Sequence, residues 1–323
     1  MIVVTGGAGF IGSAFVATLN GHGIKDILVV DELDSNAREK NLANKSFSQY
    51  IGKREFIESV RSNALPKGID AVVHLGACSS TTEKNVEYLR ENNFEYSRLL
   101  AEYCIARDIR YIYASSAATY GDGSFGYDDD ISRLEQLKPL NPYGQSKHDM
   151  DLWARNSGAL NNVVGLKFFN VYGPNEYYKG SMASVAWKAF NTIRATGSFS
   201  LFKSHRVDYK DGEQKRDFVY VKDCCSIMWW LVRNRGVTGL YNVGSGEARS
   251  WNDLLKAVFQ AMNTTVNISY IEMPEDLRAH YQYFTEAPMG RLRAAGYSER
   301  LYSLEEGVRD YVTNHLIQPD QHW

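Results

Sequence analysis

The sequence predicts an α/β protein: a doubly wound parallel sheet with a second, smaller α/β domain beside it. Three observations predict this. Short apolar runs alternate with amphipathic segments through the first half of the chain. A glycine-rich turn follows the first apolar run, and the second run ends on an acid.

The first run, Ile2 to Val4, reads as a buried strand. Ile11 to Leu19 reads as the helix after it, stopped near Gly21 and Gly23. Between them, Gly7, Gly9 and Gly12 satisfy G-x-G-x-x-G, and Gly6, Gly9 and Gly12 fall at every third position. Such glycines permit a tight turn, let the backbone approach a pyrophosphate and let helix pack on strand. The helix N-terminus favours the negative charge. In this strand–turn–helix context the pattern predicts a Rossmann dinucleotide cradle. The second strand, "DILVVD", ends at Asp31. An acid about twenty residues beyond the glycines is placed to meet a ribose. An acid there favours the free 2′-hydroxyl of NAD, yet Arg38, Lys40 and Lys53 supply cations for the 2′-phosphate of NADP. The residues alone admit both.

Further buried strands are expected at 70–77, 111–116 and 163–169, with a helical segment at 86–107 between the first two. After Gly173 the pattern loosens. A helix is expected near 182–196, followed by the polar stretch "FKSHRVDYKDGEQKRD". "FVYVKD" and "LYNVGSG" read as strands that return to the sheet. The expected division is therefore discontinuous: 1–170 with 217–248 for the dinucleotide, and 171–216 with 249–323 for substrate. The second part should cover the carboxyl edge of the sheet, where open α/β folds bind ligands.

Bulk properties narrow the class. The 323 residues carry a formal charge of −2, so no global basic field draws nucleic acid or anionic membrane. The four cysteines, Cys78, Cys104, Cys224 and Cys225, include no CxxC pair. That argues against a disulfide framework and against zinc, and fits a reducing cytoplasm. The histidines are scattered, so no metal is expected. No basic leader or membrane-length apolar run is seen.

The chemistry is expected around "NPYGQSK" (141–147). Pro142 suits a helix start, which puts Tyr143 and Lys147 one turn apart on one face. Tyrosine titrates near 10 and is a poor base at neutral pH. A nearby ammonium and a cationic nicotinamide would stabilise the phenolate. Lysine also reaches ribose hydroxyls. A tyrosine and lysine at this spacing arise by chance in a chain with 21 tyrosines. The third element, "YASSAATYG" (113–121), removes the coincidence. It ends a strand in serines at the carboxyl edge, where Ser116 can hydrogen-bond a reacting oxygen.

Together, "TGGAGFIG", Asp31, "SSAATYG" and "PYGQSK" resemble the extended short-chain dehydrogenase/reductase family of nucleotide-sugar enzymes, over essentially the whole chain. "GACSSTTE" (76–83), "FFNVYGPNEYYKGSMASVA" (168–186), "KRDFVYVKD" (215–223) and "LRAAGY" (292–297) are similar, within it, to the ADP-L-glycero-D-manno-heptose 6-epimerases. The resemblance implies oxidation of an ADP-heptose at C6 to a ketone by one bound NADP per subunit, and hydride return to the other face. It implies homo-oligomers, with pentamers in the type enzymes, and a role in supplying the lipopolysaccharide core. Rotating the exocyclic ketone moves its oxygen, so a second acid/base is useful. The resemblance assigns that role to Lys179, which by its own residues reads as a phosphate-binding or solvated lysine in a glycine-flanked loop.

Cofactor contacts carry over onto Gly6, Gly7, Gly9, Phe10, Ile11, Gly12, Asp31, Glu32, Arg38, Lys53 and Asn92. They extend to Leu75, Gly76, Ala77, Cys78 and Ser79, and to Tyr143, Lys147, Val171 and Lys179. Arg38 replaces the family's lysine and keeps its charge, which favours NADP. Substrate contacts carry over onto Ser116, Asn170, Ser181, Arg216 and Tyr281. Lys188 stands where histidine is usual. Phe202, Lys203, Ser204 and His205 replace a stretch "FEGS", and the inserted "RVDYKDGEQ" lengthens the loop after them. A 4,6-dehydratase would need an Asp-Glu pair where this chain has Ala117 and Ala118. A 4-epimerase would share Ser116, Tyr143 and Lys147 but would not need Lys179. A dinucleotide sensor without catalysis would not need Ser116 or Tyr143.

Overall fold

The computed structural model describes residues 1–33, 36–278 and 281–323. Among the described residues the strands run, in chain order, β1 (Ile2–Thr5), β2 (Ile27–Asp31), β3 (Gln49–Gly52), β4 (Ala71–His74), β5 (Arg110–Ser116) and β6 (Val163–Phe168). They continue with β7 (Asn170–Tyr172), β8 (Phe199–Phe202), β9 (Lys215–Tyr220), β10 (Gly239–Val243), β11 (Ala248–Ser250) and β12 (Ile268–Ile271). Seven of these form one sheet in the order β3-β2-β1-β4-β5-β6-β10, every pairing parallel.

Every residue of β1, β2, β4, β6 and β10 is buried, as a parallel sheet covered on both faces requires. Strand alternation divides the core into two layers. Ile2, Val4, Ile27 and Val29 face one layer, with Phe15, Val16 and Leu19 from the helix Phe10–Gly21 and Ile227, Met228 and Leu231 from the helix Val221–Arg233. Val3, Leu28 and Val30 face the other, with Phe56 and Val60 from the helix Lys53–Arg61, Leu100 and Cys104 from Tyr96–Ile105, and Met150 and Ala154 from Pro142–Asn156. The four cysteines are free thiols. No helix of the described residues is long and apolar enough to cross a membrane.

"LYNVGSG" does return to the sheet, as β10 on the outer edge of β6. "FVYVKD" does not. It supplies β9, which pairs parallel with β7 and antiparallel with β11 in a separate three-stranded sheet. The reason is steric: β10 occupies the edge of β6 from Val164 to Phe168, leaving no seat there for another strand. β8 and β12 form a third, two-stranded parallel sheet. Strand order in the main sheet reverses between β1 and β4, so the crevice at their carboxyl ends is where such a fold receives a ligand.

Candidate active site

The glycine turn is built by close packing. Gly6 has φ 67°, and a Cβ there would lie 2.7 Å from the Gly76 nitrogen. A Cβ on Gly12 would collide with the Gly6 carbonyl. Any side chain at either place would push the loop off β4 or off its own helix. The turn is tied to β2 by Gly6 N–H to the Val30 carbonyl (2.8 Å) and by Ala8 N–H to Asp31 Oδ2 (2.8 Å). Asp31 Oδ1 accepts from the Glu32 amide (2.8 Å) and pairs with Arg38 at 3.1 Å. Asp31 therefore braces the cradle as well as lining it. Lys53 Nζ donates to Asn92 Oδ1 at 2.6 Å on the same wall.

A cavity of about 770 Å³ opens along this edge. Its wall carries Gly6, Gly9, Phe10, Ile11, Gly12, Asp31, Glu32, Arg38, Lys53, Leu75, Gly76, Ala77, Cys78, Ser79, Asn92 and Val171. Ser116, Tyr143, Lys147, Asn170 and Lys179 stand on the same wall. Gly7 sits behind it, where a Cβ would strike the Val29 side chain. Ser181, Lys188, Arg216, Tyr281 and the stretch 202–205 are not on this wall. Lys188 donates to the Ser181 carbonyl, while Lys203 and His205 face Glu272. Arg216 and Tyr281 form a layer just behind Trp251 and Gln282, which do line the cavity. The Arg216 guanidinium lies over the Trp251 and Tyr281 rings at 5.8 and 5.2 Å and donates to the Gln282 carbonyl.

Tyr143 and Lys147 occupy the first turns of the helix Pro142–Asn156. Asn141 caps it by accepting from the Gly144 amide at 2.7 Å. Tyr143 hydrogen-bonds Ser116, which ends β5. Burial pushes the Tyr143 phenol up from its usual value, and the Ser116 hydrogen bond works against that. Lys147 Nζ donates to the Ala114 carbonyl at 2.9 Å. Burial pulls its ammonium down to about 8, against the opposing pull of Asp151 and Cys78. Sequence reasoning expected Lys147 to lower the phenol. Here burial dominates Tyr143, and the lysine addresses the strand carbonyl.

Behind these groups lies a buried pair that sequence reasoning did not single out. Lys167 Nζ on β6 meets Asp151 Oδ2 at 2.9 Å, both side chains without exposure. Asp151 also accepts from Tyr113 (2.9 Å) and Ser115 (2.7 Å) of β5. Lys167 donates to Thr119, whose hydroxyl donates to the Ser116 carbonyl at 2.8 Å. Helix, two strands and the turn after Ser116 thus share one polar knot.

Lys179 projects from the turn Tyr177–Met182. Burial pulls its ammonium down, with Glu176 opposing and Arg38 assisting. Glu176, also missed, is 1% exposed and clasps both ends of this turn. Its carboxylate accepts from the Gly173 amide (3.3 Å), from the Ser184 amide and hydroxyl (2.5 and 2.7 Å), and from Tyr311 (3.0 Å). No spacing rule would have found a buried acid whose partners lie 3, 8 and 135 residues away.

Known proteins match this arrangement along its length. A family model described as NAD dependent epimerase/dehydratase matches residues 2–244. The ADP-L-glycero-D-manno-heptose-6-epimerase of Nitratidesulfovibrio vulgaris is 54% identical over 322 residues, covering 100% of each chain. The protein of that name from Fusobacterium nucleatum is 48% identical over 331 residues, again covering 100% of each. The crystal structure of ADP-L-glycero-D-manno-heptose-6-epimerase from Helicobacter pylori superposes with a TM-score of 0.81 at 30% identity, covering 97% of this chain and 95% of that one. A UDP-N-acetylglucosamine 4-epimerase from Methanobrevibacter ruminantium gives 0.78 at 25%, covering 96% of each. With a model match over most of its length and relatives aligned end to end, the chain belongs to the NAD dependent epimerase/dehydratase family.

Proposed function

We propose that the protein epimerises ADP-D-glycero-D-manno-heptose to ADP-L-glycero-D-manno-heptose at C6, with NADP as the resident cofactor. The observation that carries this is the pair of acid/base groups on one cavity wall, Tyr143 from the helix and Lys179 from the clasped turn. A 4-epimerase has no use for the second. The relatives' names agree with the substrate.

The residues present fit a nicotinamide dinucleotide. The glycines of the Gly6–Gly12 turn put no side chain of their own between the helix start and a pyrophosphate, and Arg38, Lys53 and Asn92 stand farther along the same wall. A dinucleotide held by these residues would supply the hydride acceptor and donor for C6. Tyr143 removes or restores the proton of the C6 oxygen in one orientation, steadied by Ser116. Lys147 keeps positive charge beside the helix and reaches the ribose. Lys179 serves the oxygen after the exocyclic ketone has turned. The remaining substrate contacts we assign to Asn170 and Ser181, with Arg216 and Tyr281 acting through Trp251. The two parts divide as 1–170 with 217–248 for the dinucleotide and 171–216 with 249–323 for the sugar nucleotide.

The case for NADP rests on Arg38. Its contact with Asp31 offsets the acid's charge beside the ribose site. NADP+ should bind more tightly than NAD+ in calorimetric titration of cofactor-free protein, and Arg38→Ala should shrink the gap. A wild-type preference for NAD+ would reverse the assignment. The activity itself is tested by incubation with ADP-D-glycero-D-manno-heptose and NMR detection of the C6 epimer. Absence of turnover with retained dinucleotide binding would refute it.

A further inference from the structure

The amide of Phe10 opens the helix that receives a pyrophosphate, and in this structure it already has a partner. Phe10 N–H donates to the Tyr178 hydroxyl at 3.0 Å. A Cβ on Gly9 would lie 3.3 Å from the same hydroxyl, so the phenol sits directly on the bare face of the glycine turn. The Arg38 guanidinium stacks over the Tyr178 ring at 5.1 Å. The next residue in the chain is Lys179, whose amine lies 5.8 Å from the Phe10 ring.

We propose that Tyr178 is an internal competitor for the cofactor phosphate: its hydroxyl holds the Phe10 amide until the dinucleotide arrives, and its displacement frees the turn that carries Lys179. The inference rests on the dinucleotide reading of the glycine turn. A phosphate oxygen and a phenol oxygen cannot both take the single Phe10 proton in good geometry. The phosphate is the stronger acceptor, because it is charged and lies at the positive end of the helix. The displaced side chain has a place to pivot. Glu176 fixes the frame at Gly173 and Ser184. Within the turn, Gly180 has φ 52°, and nothing lies within 4 Å of where its Cβ would be. The segment between these fixed ends can therefore shift locally, with Tyr178 giving up only its half-buried packing at the edge of the core. Asn41 reinforces the frame by donating both to Ala8 of the glycine turn and to Asn175. Cofactor arrival would thus be transmitted by one side chain to the neighbouring catalytic amine.

Tyr178→Phe tests this, because it keeps the ring and its stacking on Arg38 and removes only the hydroxyl. Titrating cofactor-free full-length protein with NADP+ should give roughly 2- to 10-fold tighter binding in the variant, the net worth of one competing hydrogen bond. Equal or weaker binding would overturn the competition. In the wild type, NADP+ should speed hydrogen exchange at the Lys179 and Ala183 amides, which now donate to Glu176 and Gly180 at 3.0 and 3.1 Å. Unchanged or slower exchange would overturn the release. Failure of wild type and variant alike to bind NADP+ or NAD+ would instead fell the dinucleotide reading, and this inference with it.

Discussion

At the scale of single residues, Tyr143 and Lys179, the acid/base pair of the proposed mechanism, invite the sharpest substitutions. Tyr143→Phe should retain NADP+ binding and lower turnover by roughly 10²- to 10⁴-fold, the range for a removed acid/base. Retained turnover would remove Tyr143 from the mechanism. Lys179→Met should lower kcat by orders of magnitude with little change in KM for the sugar nucleotide. A raised KM at near-normal kcat would mean that Lys179 only binds phosphate. Burial already moves the Lys179 ammonium in the direction a proton carrier near neutral pH requires. Tyr143 is different, since burial raises its phenol. The positive charge that would stabilise a phenolate has to come from Lys147 and a bound nicotinamide. Tyr143, Lys147 and Ser116 were legible because a fixed spacing and a strand end announced them. Glu176, Tyr178 and Asp151 were not, because their roles depend on partners remote in sequence.

At the scale of elements, the helix Pro142–Asn156 and strands β5 and β6 are held in register by Asp151 and Lys167. A buried ion pair contributes little net stability against a well-packed apolar pair, but breaking one leaves a bare charge in the core. Asp151→Asn should therefore cost about 3–5 kcal/mol, read from the midpoint of urea unfolding. It should also lower turnover in the surviving folded fraction, because Ser116 hangs from the same knot through Thr119. A variant as stable as the wild type would show that Lys167 finds another partner. The main strands were readable because their apolar runs are short and punctuated. β3 escaped, since "QYIG" has an exposed first half and no apolar run. β9 was recognised as a strand but given the wrong sheet, because an apolar run states that it is buried without stating against what.

At the scale of the molecule, stability should depend on pH through histidines held neutral in the core. His74 is buried between Thr5 and Ser97, its ring nitrogens 2.6 and 2.8 Å from their hydroxyls. Burial, assisted by the Lys147 charge, pulls its pKa down from 6.5 to about 3. The folded value lies below the unfolded one. Its contribution is therefore complete above pH 6.5 and is lost as pH falls toward 3, by roughly 1.4 kcal/mol per unit. Urea titrations at pH 7 and pH 5 should show a larger drop in wild type than in His74→Gln, and parallel drops would refute the assignment. After Gly173 the chain stays out of the main sheet until β10, and the loosening of the pattern there was readable. The far wall of the cavity was not, since Phe218, Trp251 and Gln282 come together only when β9, the helix after β11 and the segment near 282 are folded.

The placement of β10 has a consequence for the chain as it is made. Strands β1 to β6 are complete by Phe168, but the strand that closes the edge of β6 begins only at Gly239. At about 5–20 residues per second, synthesis leaves that edge without its partner for several seconds. During that interval Val163–Phe168, apolar and β-branched at its start, offers a row of unpaired amides and carbonyls to any neighbouring chain. The nascent protein thus carries an open edge at a strand that lines the candidate active site, and the demand for chaperone shielding there should fall away once Val243 has emerged and docked.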